Sequence, residues 1–546
     1  MDPWWRGAVI YQIYPRSFAD SNGDGIGDLR GIASKLDYIA GLGVDAVWLC
    51  PVYASPGADG GYDVSDHTAI APEYGTLDDL DALVASCHAR GLRVLLDLVL
   101  AHTSEAHPWF QAARASRAGP LADRYIFADP RSDGSPPNNW LSVFGGPAWR
   151  WEPRRRQYAL HHFLPAQPAL NLADPATLDA IAGVMRFWLA RGVDGFRVDA
   201  LDFVAHDPLL RSNPAAMLAE VPAKPFGMQL HLHDMMGEGT DAILARLRAE
   251  TEAYGDRALL GEFSSQPGAL SRVARATGPG RLHMGYTLAP LRGAFGHAEA
   301  RALVEAAAHP DGRPCWSFSN HDVVRVASRW APDGVPDLRV TKLLLALLLT
   351  LRGSACLYQG DELGLPEATL PFEALRDPFG RAFWPEFPPR DGARTPMPWA
   401  QGAAHAGFTR GAPWLPVPHT HRALAVDAQE ADPDSVLHFA RAMLRARCAT
   451  PALRDGDLVP LDLPAPLLGF DRVSGLARVR CVFNLSAAAK TVPPALAEGT
   501  RALPPAPVPG VPGVLAPWGV GLGGVGLGCV GLGGVGSGGG GTGTLG

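Results

Sequence analysis

Gly195-Phe196-Arg197-Val198-Asp199 ends a run of β-prone residues in an acid. Arg197 and Asp199 are two apart, so on a strand both side chains leave the same face. A guanidinium beside a carboxylate favours its ionised form. Such a carboxylate, aimed from a strand end, can attack an electrophilic carbon. The same pair can also be a structural ion pair. Other acids stand in similar settings. Glu262 closes Leu260-Gly261-Glu262, Asp322 closes Asn320-His321-Asp322, and Asp97 and His102 bracket the end of a third apolar run. Three acids in one opening suit glycoside chemistry. One attacks the anomeric carbon, one protonates the leaving oxygen, and one stabilises the oxocarbenium-like state. Neighbouring carboxylates split each other's pKa, so the less solvated one holds its proton near neutral pH.

A second motif is suited to a cation. Asp20-Ser21-Asn22-Gly23-Asp24-Gly25-Ile26-Gly27-Asp28 sets oxygen side chains at alternating positions. Asp20, Asn22, Asp24 and Asp28, with the Ile26 carbonyl, could ring one hard cation. The twelfth position is Gly31, where an EF-hand needs a bidentate Glu, and a strand-like run precedes it. The expectation is one rigid Ca2+ or Mg2+ site and no organic cofactor. A loop of Asx turns without metal is the alternative.

These residues need a scaffold that gathers strand ends. β-like runs occur at Ala8–Ile13, Ala46–Leu49, Arg93–Leu100, Val193–Val198, Ala258–Gly261, Leu282–Thr287, Cys315–Phe318 and Ala355–Tyr358. Helix-like runs separate most of them, such as Leu29–Ala40, Leu77–Arg90 and Pro175–Arg191. The pattern predicts an α/β fold, a (β/α)8 TIM barrel. All strand ends then face one mouth, with Tyr62, Phe144, Phe163, Trp140 and Arg394 as candidate sugar binders. The stretch from Thr103 to Leu172 is too long for a plain loop and reads as a small inserted domain. The segment 202–239 is expected to rise over the mouth, and its His206, His231 and His233 fit no tetrahedral metal spacing. After Thr450 short β runs predict a C-terminal all-β domain over 451–518. From Gly519 onward a Gly-rich tail is expected to stay disordered.

Bulk properties narrow the partners. Net charge is −7 with no basic stripe, which argues against nucleic acid. The most apolar run, Leu343–Leu351, is too short to span a membrane, and the start shows no secretory segment. Seven scattered cysteines suit a reducing, cytoplasmic setting. Nothing in the sequence marks an oligomeric state.

Several stretches together resemble glycoside hydrolase family 13, the α-amylase family, and within it the α-glucosidase and oligo-1,6-glucosidase branch. They are Ala8 through Phe18, the Asp20 loop, Gly61-Tyr62-Asp63-Val64-Ser65-Asp66, Asp97 through His102, Gly195 through Asp199, Gly261-Glu262, Asn320-His321-Asp322, Gln359-Gly360-Asp361-Glu362 and Arg394-Thr395-Pro396-Met397-Pro398-Trp399. The resemblance runs from about Trp4 to Leu485 and implies a retaining mechanism. It makes Asp199 the nucleophile, Glu262 the acid/base and Asp322 the transition-state stabiliser. It makes Asp63 and Arg394 a clamp on the terminal glucose. His102, Arg197 and His321 would line the first glucose subsite, with Phe144 and Phe163 as further substrate contacts. The barrel would comprise 1–102 and 173–450, and 103–172 would be the B domain. Ala200, small and next to the nucleophile, implies a preference for α-1,4 over α-1,6 bonds. The implied substrate is a small oligosaccharide or α-glucoside, with possible glucosyl transfer. A sucrose-active hydrolase, isomerase or transglucosylase is the alternative. An inactive sugar-binding or partner subunit would typically have lost one of the three acids, and all remain here.

Overall fold

A computed structural model describes residues 3–525 except 265, 267, 292, 310, 498–499 and 503–512. Eight parallel strands form the central sheet: β1 (Val9–Ile13), β2 (Ala46–Leu49), β3 (Arg93–Leu98), β4 (Gly195–Val198), β5 (Ala258–Phe263), β6 (Met284–Thr287), β7 (Cys315–Ser317) and β8 (Ser354–Tyr358). Their order is β6-β5-β4-β3-β2-β1-β8-β7. A parallel bridge between Gly285 and Pro314 joins β6 to β7 and closes the barrel.

The alternation within each strand decides what faces inward. Phe196 and Val198 of β4 pack outward with Val94 and Leu96 of β3 and with the helices. Ile10, Ala46, Trp48, Leu95, Leu260 and Tyr286 pack inside the barrel. One pleat nearer the C-terminal ends, Gln12, Asp97, Arg197 and Glu262 replace the apolar residues, and all are buried. The barrel core therefore turns polar where the strands end.

Local signals place the strand that carries Arg197. Helix Pro175–Ala190 starts where the Asp174 carboxylate accepts from the amides of Ala176 and Thr177, with Pro175 at the first position. Such a cap stabilises by about 1 kcal/mol. Ile181, Met185 and Trp188 are its buried face. Gly195 then opens β4 at φ 144°, and a Cβ there would lie 1.9 Å from the Ala258 carbonyl oxygen. Only glycine lets β4 lie this close to β5.

The insert between β3 and β4 holds helix Pro108–Ala115 and a three-stranded sheet of Phe127–Ala128, Trp149–Glu152 and Gln157–Leu160. A five-stranded antiparallel sheet follows the barrel, in the order Asp457–Pro460, Leu467–Ser474, Ala477–Asn484, Val520–Val525 and Thr500–Ala502. The expectation of disorder from Gly519 fails for Val520–Val525, which pairs on both edges. Alternate residues Val520 and Leu522 enter the core. Two ladders and that burial offset the entropy cost of the glycines between them. Residues 526–546 lie outside the described residues. Among the described residues no helix is long and apolar enough to cross a membrane.

Candidate active site

The C-terminal ends of the strands open into a cavity of about 340 Å3. Asp199, Glu262 and Asp322 line it together, so the three acids from β4, β5 and β7 do converge. His102, Phe144 and Phe163 also line it. So do Phe203, Lys224 and Phe226 from the long segment after β4, which rises over the opening.

Arg197 organises the floor. Its guanidinium is fully buried and reaches three carboxylates: Asp97 at 2.7 Å, Asp199 at 2.6 Å, and Glu262. Tyr286 Oη accepts from Arg197 at 3.1 Å and donates to Glu262 Oε1 at 3.0 Å. Trp48 and Tyr62 both donate to Asp97 Oδ2, at 3.1 and 3.0 Å. Asp97 is thus held by three donors and does not line the cavity. Asp199 and Glu262 each keep an edge toward it. Two carboxylates on the two ends of one guanidinium form a close pair, as a double displacement requires.

Electrostatics separates the three acids. Burial pushes the Glu262 carboxyl up to about 7, against the pull of Arg197. Burial also pushes Asp199 up, to about 7, again opposed by Arg197. The Asp199 charge also raises Glu262, so the proton on one depends on the state of the other. Asp322 goes the other way. Burial would raise it, but His321 when protonated, and Arg390 and Arg394 at all times, hold it well below the usual range. Arg390 Nη1 lies 3.0 Å and Arg394 Nη2 2.6 Å from Asp322 Oδ1. Near neutral pH Asp322 is a fixed negative charge, while the other two can hold one proton between them.

His102 is buried, and burial lowers its pKa to about 4, so it is neutral. Its Nε2 lies 3.1 Å from the Tyr62 carbonyl and 3.1 Å from Gln167 Nε2. His102 Nδ1 is buried and has no hydrogen-bond partner among the described residues. The Tyr62 ring lies parallel to the His321 ring at 5.3 Å and forms part of the cavity wall.

Several expected contacts are placed differently. Asp63 does not line the cavity. Its Oδ1 accepts from Ser55 Oγ and the Asp59 amide, and its Oδ2 from the Ala58 amide, so it builds the loop. Asp59, four residues earlier, faces the cavity and pairs with Arg390 at 2.8 Å. Asp59, and not Asp63, is therefore the acid of this motif that lines the cavity. Arg394 sits behind the wall, donating to the His321 carbonyl and to Asp322. Arg390 takes the place in the cavity wall, bridging Asp59, Asp322 and Asp377. Arg197 and His321 are likewise fully buried behind the lining. Trp140 packs on Trp149 and donates to the Arg211 carbonyl, so it belongs to the insert. The motif Asp59-Gly60-Gly61-Tyr62-Asp63 offered two acids, and spacing alone could not choose between them. Arg390, in Pro388-Pro389-Arg390-Asp391, carried no distinguishing signal.

In the Asp20 loop, Asp20, Asn22 and Asp24 each accept the amide two residues on, at 2.9, 2.8 and 2.8 Å. Asp28 caps helix Leu29–Ala33 and binds Ser21. The donors are all oxygen, which fits a hard cation. Among the described residues no three His, Cys, Asp or Glu side chains are drawn together around one point.

With this geometry in view, the relatives are informative. The family model "Alpha amylase, catalytic domain" matches residues 12–456. The chain belongs to the α-amylase family. A probable alpha-glucosidase of Rhizobium meliloti is 49% identical over 504 residues, covering 90% of this chain and 91% of that protein. An oligo-1,6-glucosidase of Heyndrickxia coagulans is 35% identical over 493 residues, covering 84% and 87%. Among solved structures, the alpha-glucosyl transfer enzyme XgtA superposes with a TM-score of 0.90 at 48% identity, over 96% of this chain and all of that one. The trehalulose synthase MutB of Pseudomonas mesoacidophila gives 0.85 at 32%, over 96% and 100%. This family member is a glycoside hydrolase of the α-glucosidase and oligo-1,6-glucosidase branch, acting on oligosaccharides or glucosides.

Proposed function

We propose that the enzyme is a retaining exo-α-glucosidase that releases terminal α-1,4-linked glucose from maltose-like oligosaccharides or α-glucosides. The observation that carries this reading is the single Arg197 guanidinium shared by Asp199 and Glu262. An Asp199 oxygen bonds to the anomeric carbon as the bond to the leaving oxygen breaks, and the Glu262 proton goes to that oxygen. The Glu262 carboxylate then takes a proton from water. That water attacks the anomeric carbon and frees Asp199. Asp322, fixed as an anion, stabilises the positive charge that develops on the sugar in the transition state of each step. His102 and the Asp59–Arg390 pair, which line the cavity, bind hydroxyls of the terminal glucose. The bridge from Asp59 through Arg390 to Asp322 narrows one end of a small cavity, which favours a chain terminus.

Ala200 lines the cavity beside the attacked carbon and adopts φ 46°, an unusual conformation for a residue with a Cβ. Its single methyl leaves room for a secondary 4-oxygen leaving group. We expect kcat/KM for maltose to exceed that for isomaltose by ~10-fold, a difference one small pocket contact can produce. A panel of maltose, isomaltose, sucrose and p-nitrophenyl α-glucoside checks this. Isomaltose cleaved as fast as maltose overturns the linkage preference, and sucrose as the best substrate overturns the α-glucosidase reading.

Transfer to an alcohol or sugar in place of water is a second outcome of the same intermediate. The likeness to XgtA and the phenylalanine lining of the outer cavity favour it. We also assign one Ca2+ or Mg2+ to Asp20, Asn22, Asp24, Asp28 and the Ile26 carbonyl, as a brace for the first loop. A hundred-fold excess of metal over Kd would add about 2.7 kcal/mol of stability. Chelation should lower Tm in the wild type but not in Asp24→Ala. Equal melting with and without chelator removes the metal. Six described thiols are free, which supports a cytoplasmic setting.

A further inference from the structure

The barrel has a second large cavity at the end away from the acids. Gly7, Arg313 and Gly353 line it, and each lies just before a strand, β1, β7 or β8. Its volume is about 950 Å3. Arg6, Arg248, Arg275, Arg313 and Arg352 face it against Asp311, Asp455 and Asp457. The acids stand on the rim, with side chains 76%, 55% and 87% exposed. Arg6, Arg248 and Arg352 are more withdrawn, at 35%, 20% and 22%. Water screens the rim acids more than these cations. Arg313 forms no ion pair among the described residues, and its guanidinium rests on the Trp5 ring at 5.0 Å. Burial and the charges of Arg6, Arg248 and Arg352 lower its pKa, with Asp455 opposing. Arg6 pairs with Asp455 at 3.7 Å and Arg352 with Asp457 at 3.8 Å on the rim, and Arg248 and Arg275 pair with Glu252 and Asp241, so Arg313 is the lining arginine with no ion pair among the described residues.

Behind the same wall lie two buried cations. Arg447 Nη1 donates to the Leu349 carbonyl at 2.7 Å, and its Nε and Nη2 donate to the Gly7 carbonyl at 3.2 and 3.1 Å. Arg472 donates to the carbonyls of Thr350, Leu351 and Gly456. Neither has a carboxylate partner among the described residues, and burial pulls their pKa values down, to about 9 and about 10. The carbonyl dipoles and the charges of Asp45 on Arg447 and of Asp455 and Asp457 on Arg472 offset these cations only in part, and the remaining field reaches the nearest opening. For Arg447 that opening is this cavity, because Gly7 lines it.

We propose that this floor cavity binds a small phosphate-bearing molecule. Guanidinium forks match phosphate oxygens in pairs, and the volume admits a phosphate with a ring-sized body attached. The site lies a barrel's length from the chemistry and does not depend on which glucoside is cleaved. The test is calorimetry on the full chain with sodium pyrophosphate and inorganic phosphate, at ionic strength matched with NaCl. Saturable binding is expected, weakened by at least ~10-fold in Arg313→Ala, the loss of one charge-assisted hydrogen-bond partner. Arg6→Gln should weaken it too. Turnover of p-nitrophenyl α-glucoside should stay unchanged in both variants, which shows that they are folded. No saturable heat from either anion overturns the proposal. So does an affinity that Arg313→Ala leaves untouched in a folded, active protein.

Discussion

Glu262→Gln should cut maltose hydrolysis by roughly 10²–10⁴-fold, the usual contribution of a positioned general acid. The loss should depend on the leaving group. A sugar hydroxyl needs the Glu262 proton, whereas p-nitrophenolate leaves without it. The first step on the aryl glucoside should therefore keep far more of its rate, visible as a burst of p-nitrophenol before a slow second step. Asp199→Asn should show neither burst nor turnover, because no bond to the anomeric carbon can form. The pH profile gives an independent readout. The active form holds one proton, on Glu262, with Asp199 ionised. Raising pH through about 7 removes that proton, so the wild-type rate should fall on the alkaline side. Lowering pH adds a second proton to the pair, so it should fall on the acid side too. Glu262→Gln should flatten the alkaline limb of maltose hydrolysis. An alkaline limb that survives the substitution would assign the proton to another group.

Arg197→Leu should destabilise the protein by about 3–5 kcal/mol, because it strands buried carboxylates without their cation. Asp97, Asp199 and Glu262 would face one another with only neutral partners left. They can respond by taking up protons, so their pKa values rise above the already raised folded values. The sign of the linkage follows. An acid whose folded pKa exceeds its unfolded pKa contributes stability at low pH, and that contribution fades as pH climbs between the two values. The deficit of Arg197→Leu should therefore shrink toward pH 4 and be largest above pH 7. Chemical denaturation at both ends of that range measures it. Activity near neutrality should vanish, since a protonated Asp199 does not attack. A deficit independent of pH would mean that the missing contacts are steric and not electrostatic.

Much of this is legible in the sequence alone. Arg197 and Asp199 sit two apart on a strand, Glu262 and Asp322 close similar runs, and eight such runs alternate with helical ones. Strand period and helix capping are local properties, so the chain specified the barrel and the convergence of its acids by itself. Phe144, Phe163 and His102 also reached the cavity as expected. Other assignments needed the fold. Asp59 and Asp63 share one motif, and only the path of the loop turns Asp59 outward and ties Asp63 to backbone amides. Arg390 and Arg394 lie four apart, and only packing sets one in the cavity wall and the other behind it. Val520–Val525 read as part of a disordered tail because glycine favours no local structure. It is ordered by neighbours on both sides that no window of sequence contains. The arginines of the barrel floor come from segments hundreds of residues apart, so their shared cavity was invisible in the linear chain. Periodicity fixes what a segment becomes, but which side chains share a space is set by contacts between distant segments.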